Sequence, residues 1–295
     1  DFFQFAQQVF ARTSNIEVGS AVISLLVQGG PIAMAERVGN FCALHGLNPE
    51  EKRKLHLGFA AGRFEFMAKP YGFVPRDPVE EAAWPALKGQ IFMEAAGIFL
   101  RLIRGDILSS EDSYETVLTR KNFWSDEDWI KVQKAAHIHY GLAQDVQEIS
   151  IAKRYLFEEL KTIPQEWRRE LLSLCVGSHD PKAQLYCNQF MPTKVFNLSI
   201  TNPETIDLTH SRMTEWFHET GGAWKREYMP RTVMVFLNDD ADKSEEERNV
   251  AANILAEKSL GAYWTALQGT LDPSKVKKAA SNALIGSPTV IAKTI

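Results

Sequence analysis

The stretch best equipped for chemistry is Leu171-Leu-Ser-Leu-Cys-Val-Gly-Ser-His-Asp-Pro-Lys182. Its apolar run, 171–176, has the length of a buried strand and stops at Gly177-Ser178. Asp180-Pro181 then offers a helix start, with a capping carboxylate and a proline at the first helical position, where a missing N–H is no loss. A strand that ends in a Gly-Ser turn and runs into a helix aims backbone N–H groups at one point, and that point suits a phosphate. Gly177, Ser178 and His179 are therefore candidate ligand-binding residues. An ordinary strand-to-helix turn has the same local pattern, so the rest of the chain has to decide between the two.

Other reactive side chains give weaker patterns. His137 and His139 lie two apart on a helix, roughly 160° around the wheel, which does not suit a shared metal. His56 alternates with Leu55 and Leu57, so it faces away from them, as an interior polar group or a packed core histidine. Asp239, Asp240 and Asp242 read as a solvated loop ahead of a helix. Cys175 sits in an apolar strand and reads as a packed thiol. Ser178 lacks a Gly-x-Ser-x-Gly frame, which disfavours a hydrolase. No metal site is expected.

The elements that must position these residues alternate. A helix is predicted over residues 2–12, from apolar spacing at Phe2, Phe5, Ala6, Val9 and Phe10. A strand rich in β-branched residues follows at 16–27. Gly29-Gly30-Pro31 opens a helix that runs through Leu44 to a stop at Gly46. A second strand covers 54–61. Residues 66–85, with prolines at 70, 75, 78 and 85, read as a long irregular excursion and a candidate lid. Helix resumes over 89–104. Ser125 caps a polar, helix-rich insertion reaching about residue 162, with apolar positions at Trp129, Val132, Ala136, Tyr140, Ile149, Ala152, Leu156 and Leu160. Strands at 170–176, 194–200 and 232–237 are each followed by helix signals: Asp180-Pro181, Asn202-Pro203, and a capping box over Ser244 to Glu247. Gly286-Ser287-Pro288 starts the last helix. Five strands alternating with helices imply a parallel sheet, either doubly wound or closed as a barrel, with ligands at the carboxyl ends of the strands.

Composition narrows the class. Of 295 residues, 45% are hydrophobic and 24% charged, as in a globular protein. The 33 basic residues are interspersed with 37 acidic ones, so no nucleic-acid footprint is expected. The most apolar run, 91–103, is broken by Glu94 and Arg101, so no membrane span is expected either. The cysteines, Cys42, Cys175 and Cys187, have no pairing spacing and fit a reducing cytosol, hence a cytoplasmic protein.

Three blocks together resemble the bacterial luciferase-like monooxygenases, a family of flavin- and deazaflavin-dependent enzymes. The first is Phe10-Ala-Arg-Thr-Ser-Asn-Ile-Glu-Val-Gly-Ser-Ala-Val22, continuing through Pro31 to Val38. The second is Leu57-Gly-Phe-Ala-Ala-Gly-Arg-Phe64, with Tyr71-Gly72 downstream. The third is Ala283-Leu-Ile-Gly-Ser-Pro-Thr-Val-Ile-Ala-Lys293. The resemblance spans the chain apart from residues 109–165, and it implies one TIM-type (β/α) barrel domain over 1–295 with a helical insertion near 109–165. It also implies an incomplete barrel, with two strands expected before Asp1 and one after Ile295. The family's early-strand histidine has no counterpart here, so the catalytic residues are expected outside this chain.

The resemblance places the cofactor phosphate at Gly177, Ser178 and His179. It places an unusual non-proline cis peptide at Ala21-Val22, against the flavin ring; such a bond costs about 3 kcal/mol. Ala61 stands where luciferase has an arginine, and Arg63 is the candidate substitute. The implied activity is a monooxygenase using reduced FMN and O₂ on a small organic substrate, served by a separate flavin reductase and assembled as a homodimer. A deazaflavin-dependent hydride-transfer enzyme and a non-catalytic luciferase-like subunit are the alternatives.

Overall fold

The computed structural model describes residues 1–20, 22–27, 29–62, 69–268 and 273–295. They gather into two compact units, one of Asp1–Val195 with Trp216–Trp224, the other of Phe196–Glu215 with Lys225–Ile295.

The first unit is built on a parallel sheet. Helix α1 (Phe2–Arg12) leads to the short strands β1 (Val18–Gly19) and β2 (Ile23–Ser24), then α2 (Gly30–His45), β3 (Leu55–Ala60), α3 (Pro78–Arg104), β4 (Thr116–Leu118), α4 (Asp126–Tyr140), β5 (Ile149–Ile151), β6 (Leu172–Val176), α5 (Pro181–Asn188) and β7 (Thr193–Val195). Both β1 and β2 pair with β3, β3 with β6, and β6 with β7, all in parallel. Spatial order thus follows chain order without reversal. A doubly wound sheet reverses at its switch point, whereas a (β/α) barrel adds each strand beside the last. Among the described residues the strands do not close into a ring.

The register sorts side chains onto two faces. Leu55, Leu57 and Phe59 align with Leu172, Leu174 and Val176, then with Thr193 and Val195. This face packs on α3, where Phe59 meets Phe92 and Phe99 at ring separations of 6.4 and 5.4 Å. The opposite face carries His56 and Gly58 beside Ser173 and Cys175, with Lys194 next to Cys175. His56 on this face is part-exposed, its Nε2 2.7 Å from Glu17 Oε2.

Several predicted boundaries move, each for a local reason. The strand expected over 16–27 is split, because the Gly58 N–H donates to the Ser20 hydroxyl at 2.9 Å instead of to a strand carbonyl. The excursion expected to last until Pro85 ends at Asp77, whose carboxylate accepts the N–H groups of Val79 and Glu80 and caps α3, with Pro78 in the first turn. Pro85 lies inside this helix, whose burial against the sheet outweighs the lost hydrogen bond. Helix α4 begins after the Ser125 cap as expected but stops at Gly141, in the left-handed region at φ 69°. Beyond it the apolar spacing does not mark a helix: Ile149–Ile151 pairs antiparallel with β4, and Leu156 is 78% exposed.

The segment after β5 is clamped to α3 by two buried carboxylates. Glu94 accepts the backbone N–H groups of Arg154 and Tyr155 at 2.9 and 3.0 Å, and Glu80 pairs with Arg154 at 2.8 Å and with Arg76. Burial pushes the Glu94 carboxyl above its ordinary range, although these N–H groups and Arg76 and Arg154 favour its charged form.

In the second unit, α6 (Pro203–Trp216, whose last residue belongs to the first unit) precedes β8 (Val235–Leu237), α7 (Glu245–Gln268), α8 (Pro273–Ala280), β9 (Leu284–Gly286) and α9 (Pro288–Thr294). Asn197 bridges in parallel to Arg231, and β8 pairs in parallel with β9, a strand not expected from the sequence because only Leu284 and Ile285 of it precede the Gly-Ser-Pro turn. That turn is a strand end and helix cap: the Ser287 hydroxyl accepts the Val290 N–H, and the Ser287 N–H donates to Asn249 Oδ1 at 2.7 Å.

Candidate ligand site at the strand ends

The carboxyl ends of β2, β3 and β6 meet in the first unit. The Gly177 N–H donates to the Phe59 carbonyl at 2.8 Å, carrying the β3–β6 ladder one residue beyond the strand. A Cβ at Gly177 would lie 2.9 Å from Val22 Cγ1 and 3.3 Å from Ala60 Cβ, so this position has no room for a side chain. Val22 also lies against Gly58, whose Cβ would be 3.3 Å from Val22 Cα. Two of the sequence-predicted residues, Val22 and Gly177, are thus in contact on the interior face. Ala21 and Arg63 lie outside the described residues, and with them the expected cis peptide and the expected phosphate arginine.

Ser24 joins the neighbouring strand end. Its hydroxyl donates to the Ala61 carbonyl at 2.9 Å. Gly62, at φ 74°, comes so close that a Cβ there would sit 2.6 Å from the Ser24 side chain. The sequence reading reached this strand end but not the role of the hydroxyl, which depends on a partner 37 residues away.

The start of α5 is more occupied than its sequence implies. The Asp180 N–H donates to Ser178 Oγ at 3.2 Å, the Lys182 N–H donates to Asp180 Oδ1 at 2.9 Å, and Pro181 has no N–H. The Asp180 carboxylate therefore holds the helix N-terminus itself, and an anion there would meet like charge. Gln184, fully buried on α5, reaches back and donates from Nε2 to the Ser178 carbonyl at 2.9 Å. Nothing in the local sequence marked it. His179 is partly buried, and burial lowers its imidazole below the usual histidine range, which favours the neutral ring.

The remaining candidates are structural. His137 Nδ1 lies 2.7 Å from the Leu142 carbonyl at the end of α4, and among the described residues no group of three or more histidine, cysteine or acidic side chains could hold a metal. Burial pushes the Cys175 thiol up to about 12, so it is not a thiolate at neutral pH. Asp240 caps its own loop, accepting the Asp242 N–H and pairing with Lys243. A cavity of about 240 Å³ lies by the amino end of β3 between Phe10, Phe41, His45 and Arg53. Its charges are already spent within the fold: Arg53 pairs with Glu51 at 2.6 Å and donates to the Thr13 carbonyl. Among the described residues no helix is long and apolar enough to cross a membrane.

No protein family's sequence profile matches the chain, and no curated protein matches it in sequence. Solved structures do match. The monooxygenase RslO1 from Streptomyces bottropensis superposes over 99% of this chain and 69% of its own, with a TM-score of 0.61 at 14% identity. The riboflavin lyase RcaE, solved with modified FMN and its substrate riboflavin, covers 100% of this chain and 65% of its own, with a TM-score of 0.52 at 12% identity. The chain therefore spans about two thirds of the length of either neighbour.

Proposed function

From a luciferase-like (β/α)-barrel fold as premise, we propose that this chain is the cofactor-holding part of a flavin-dependent monooxygenase. It would use reduced FMN and O₂ on a small organic substrate, with a separate flavin reductase, within a single homodimeric barrel in the cytoplasm. The observation that carries the reading is the meeting of Val22 with Gly177. Both positions were assigned to the cofactor from separate parts of the sequence, and they touch at the carboxyl end of the parallel sheet. RslO1 is a monooxygenase and RcaE binds FMN, and both share the fold.

In this reading the flavin, when bound, supplies the electrons that activate O₂. The protein's part is to bind and orient. Gly177 lets Val22 pack against the strand end, and the Gly177-Ser178-His179 turn would hold the phosphate in place of the capped helix start. A neutral His179 adds a hydrogen-bonding group without charge. Val22 would stand against the ring, and the resemblance gives Ala21 the same role and Arg63 that of the cation.

The test is a titration of the protein with FMN and with a deazaflavin, followed by fluorescence quenching. FMN is expected to bind in the micromolar range. Failure of both below the millimolar range would remove the cofactor from the reading, and a preference for the deazaflavin would replace the monooxygenase with a hydride-transfer enzyme.

A further inference from the structure

Resting on the flavin reading above for what passes through it, we propose that residues 69–77 are a gate at the strand-end site, latched shut on the 152–155 stretch by Arg76 and Arg154. The connection from β3 to α3 leaves the sheet at this site, where Gly62 packs against Ser24. Connections at the carboxyl ends of barrel strands are the ones that close over ligands. None of residues 69–77 is buried. A segment that buries so little belongs to the least stable part of a fold, so its polar ties decide where it lies.

Those ties run both ways. Arg76, within the segment, donates to the carbonyls of Ala152 and Lys153. Arg154 donates back to the Val74 carbonyl at 3.0 Å, its guanidinium 5.9 Å from the centre of the Phe73 ring. Both arginines end on Glu80, which is 1% exposed and also accepts the Arg76 N–H at 2.8 Å. Tyr140, on α4, donates to Asp77 at 2.7 Å. The other side of the latch is fixed, because the Arg154 and Tyr155 N–H groups are held by Glu94. Residues 152–155 are thus a post, and 69–77 the leaf that closes on it. The closed position is held with little to spare. Arg154 Nε is buried with no acceptor among the described residues, which is a cost, and the Arg76 side chain is 36% exposed, so water can replace its carbonyl partners.

The test combines amide exchange read by NMR with stopped-flow binding of FMN, in the wild type, Arg76→Lys and Arg154→Lys. Lysine keeps the charge beside Glu80 and loses the fork that reaches the carbonyls. In the ligand-free protein both variants are expected to speed exchange of the residue 76 amide about tenfold, the scale of one hydrogen bond to a charged group. The residue 154 and 155 amides are expected to keep their rates. FMN association and dissociation should rise together by the same factor, leaving the affinity unchanged. Equal speeding at residues 76, 154 and 155 would mean that post and leaf fray as one piece. Unchanged exchange at residue 76 would mean that the arginines are not the latch, and faster exchange with unaltered FMN rates that the segment gates nothing. Each of these overturns the proposal. A wild type that binds no FMN overturns the flavin reading instead, and the exchange pattern still decides whether the latch exists.

Discussion

At the scale of single residues, the strand-end site is a matter of side chains that cannot be larger and charges that are already spoken for. Gly177 is glycine because Val22 occupies the space a Cβ would take. Gly177→Ala is expected to cost about 1–3 kcal/mol by overpacking, read as a lower urea midpoint, and Val22→Ala in the same chain should restore most of it, since the two changes share one contact. Asp180 makes the opposite case. Asparagine caps a helix as well as aspartate, so Asp180→Asn should leave stability unchanged while FMN binds severalfold more tightly and riboflavin does not. An equal effect on both ligands would show that the carboxylate is remote from the phosphate. The turn after β6 and the Asp180 cap were legible in the sequence because turn, cap and proline are local signals. Ser24 and Gln184 were not, because each acts on a backbone group that only the fold brings near.

At the scale of elements, local signals read the starts well and long-range burial decided the rest. The Ser125, Asp180 and Ser287 caps all lie where they were expected. Pro85 misled, since a proline ordinarily ends a helix, yet α3 carries it at an exposed position while the helix buries its other face from Val79 to Ile103. Pro85→Ala is therefore expected to stabilise the protein by up to about 3 kcal/mol, seen as a raised thermal midpoint. No change would mean that the proline's restriction of the unfolded chain offsets the lost hydrogen bond. The region after Gly141 was misread for the converse reason. Its apolar residues repeat at helical intervals, but pairing with β4 gave Ile149 and Ile151 a better burial than a helix that leaves Leu156 in water. The parallel alternation was legible from strand and helix order; the choice of a barrel came from the resemblance, and the unreversed pairing of β2, β3, β6 and β7 agrees with it.

At the scale of the whole molecule, charge fixes how the fold meets acid. The net charge of −4 hides carboxylates held in opposite ways. Hydrogen bonds from Arg53 hold Glu51 at about 2, below its ordinary 4.5, against the opposing effect of burial. A carboxyl depressed in the folded state adds stability above its unfolded value and loses it as pH falls toward the folded one. Stability should therefore decline between about pH 4.5 and 2, and Glu51→Gln should be less stable at neutral pH but flatter across that window. Glu94 acts in reverse: its raised folded value means that its contribution becomes less favourable as pH rises from the ordinary carboxylate range through that value. Denaturation series against pH for Glu51→Gln and Glu94→Gln separate the two.

The Glu94 clamp also dictates where the protein breathes. The amide protons of Arg154 and Tyr155 end on a carboxylate rooted in the middle of α3, so they exchange with solvent deuterium only when that anchorage opens. In a segment with little secondary structure of its own, these two amides should be islands of slow exchange. Their rates would then follow those of the α3 core, making an irregular stretch of surface chain report on the opening of the most buried helix.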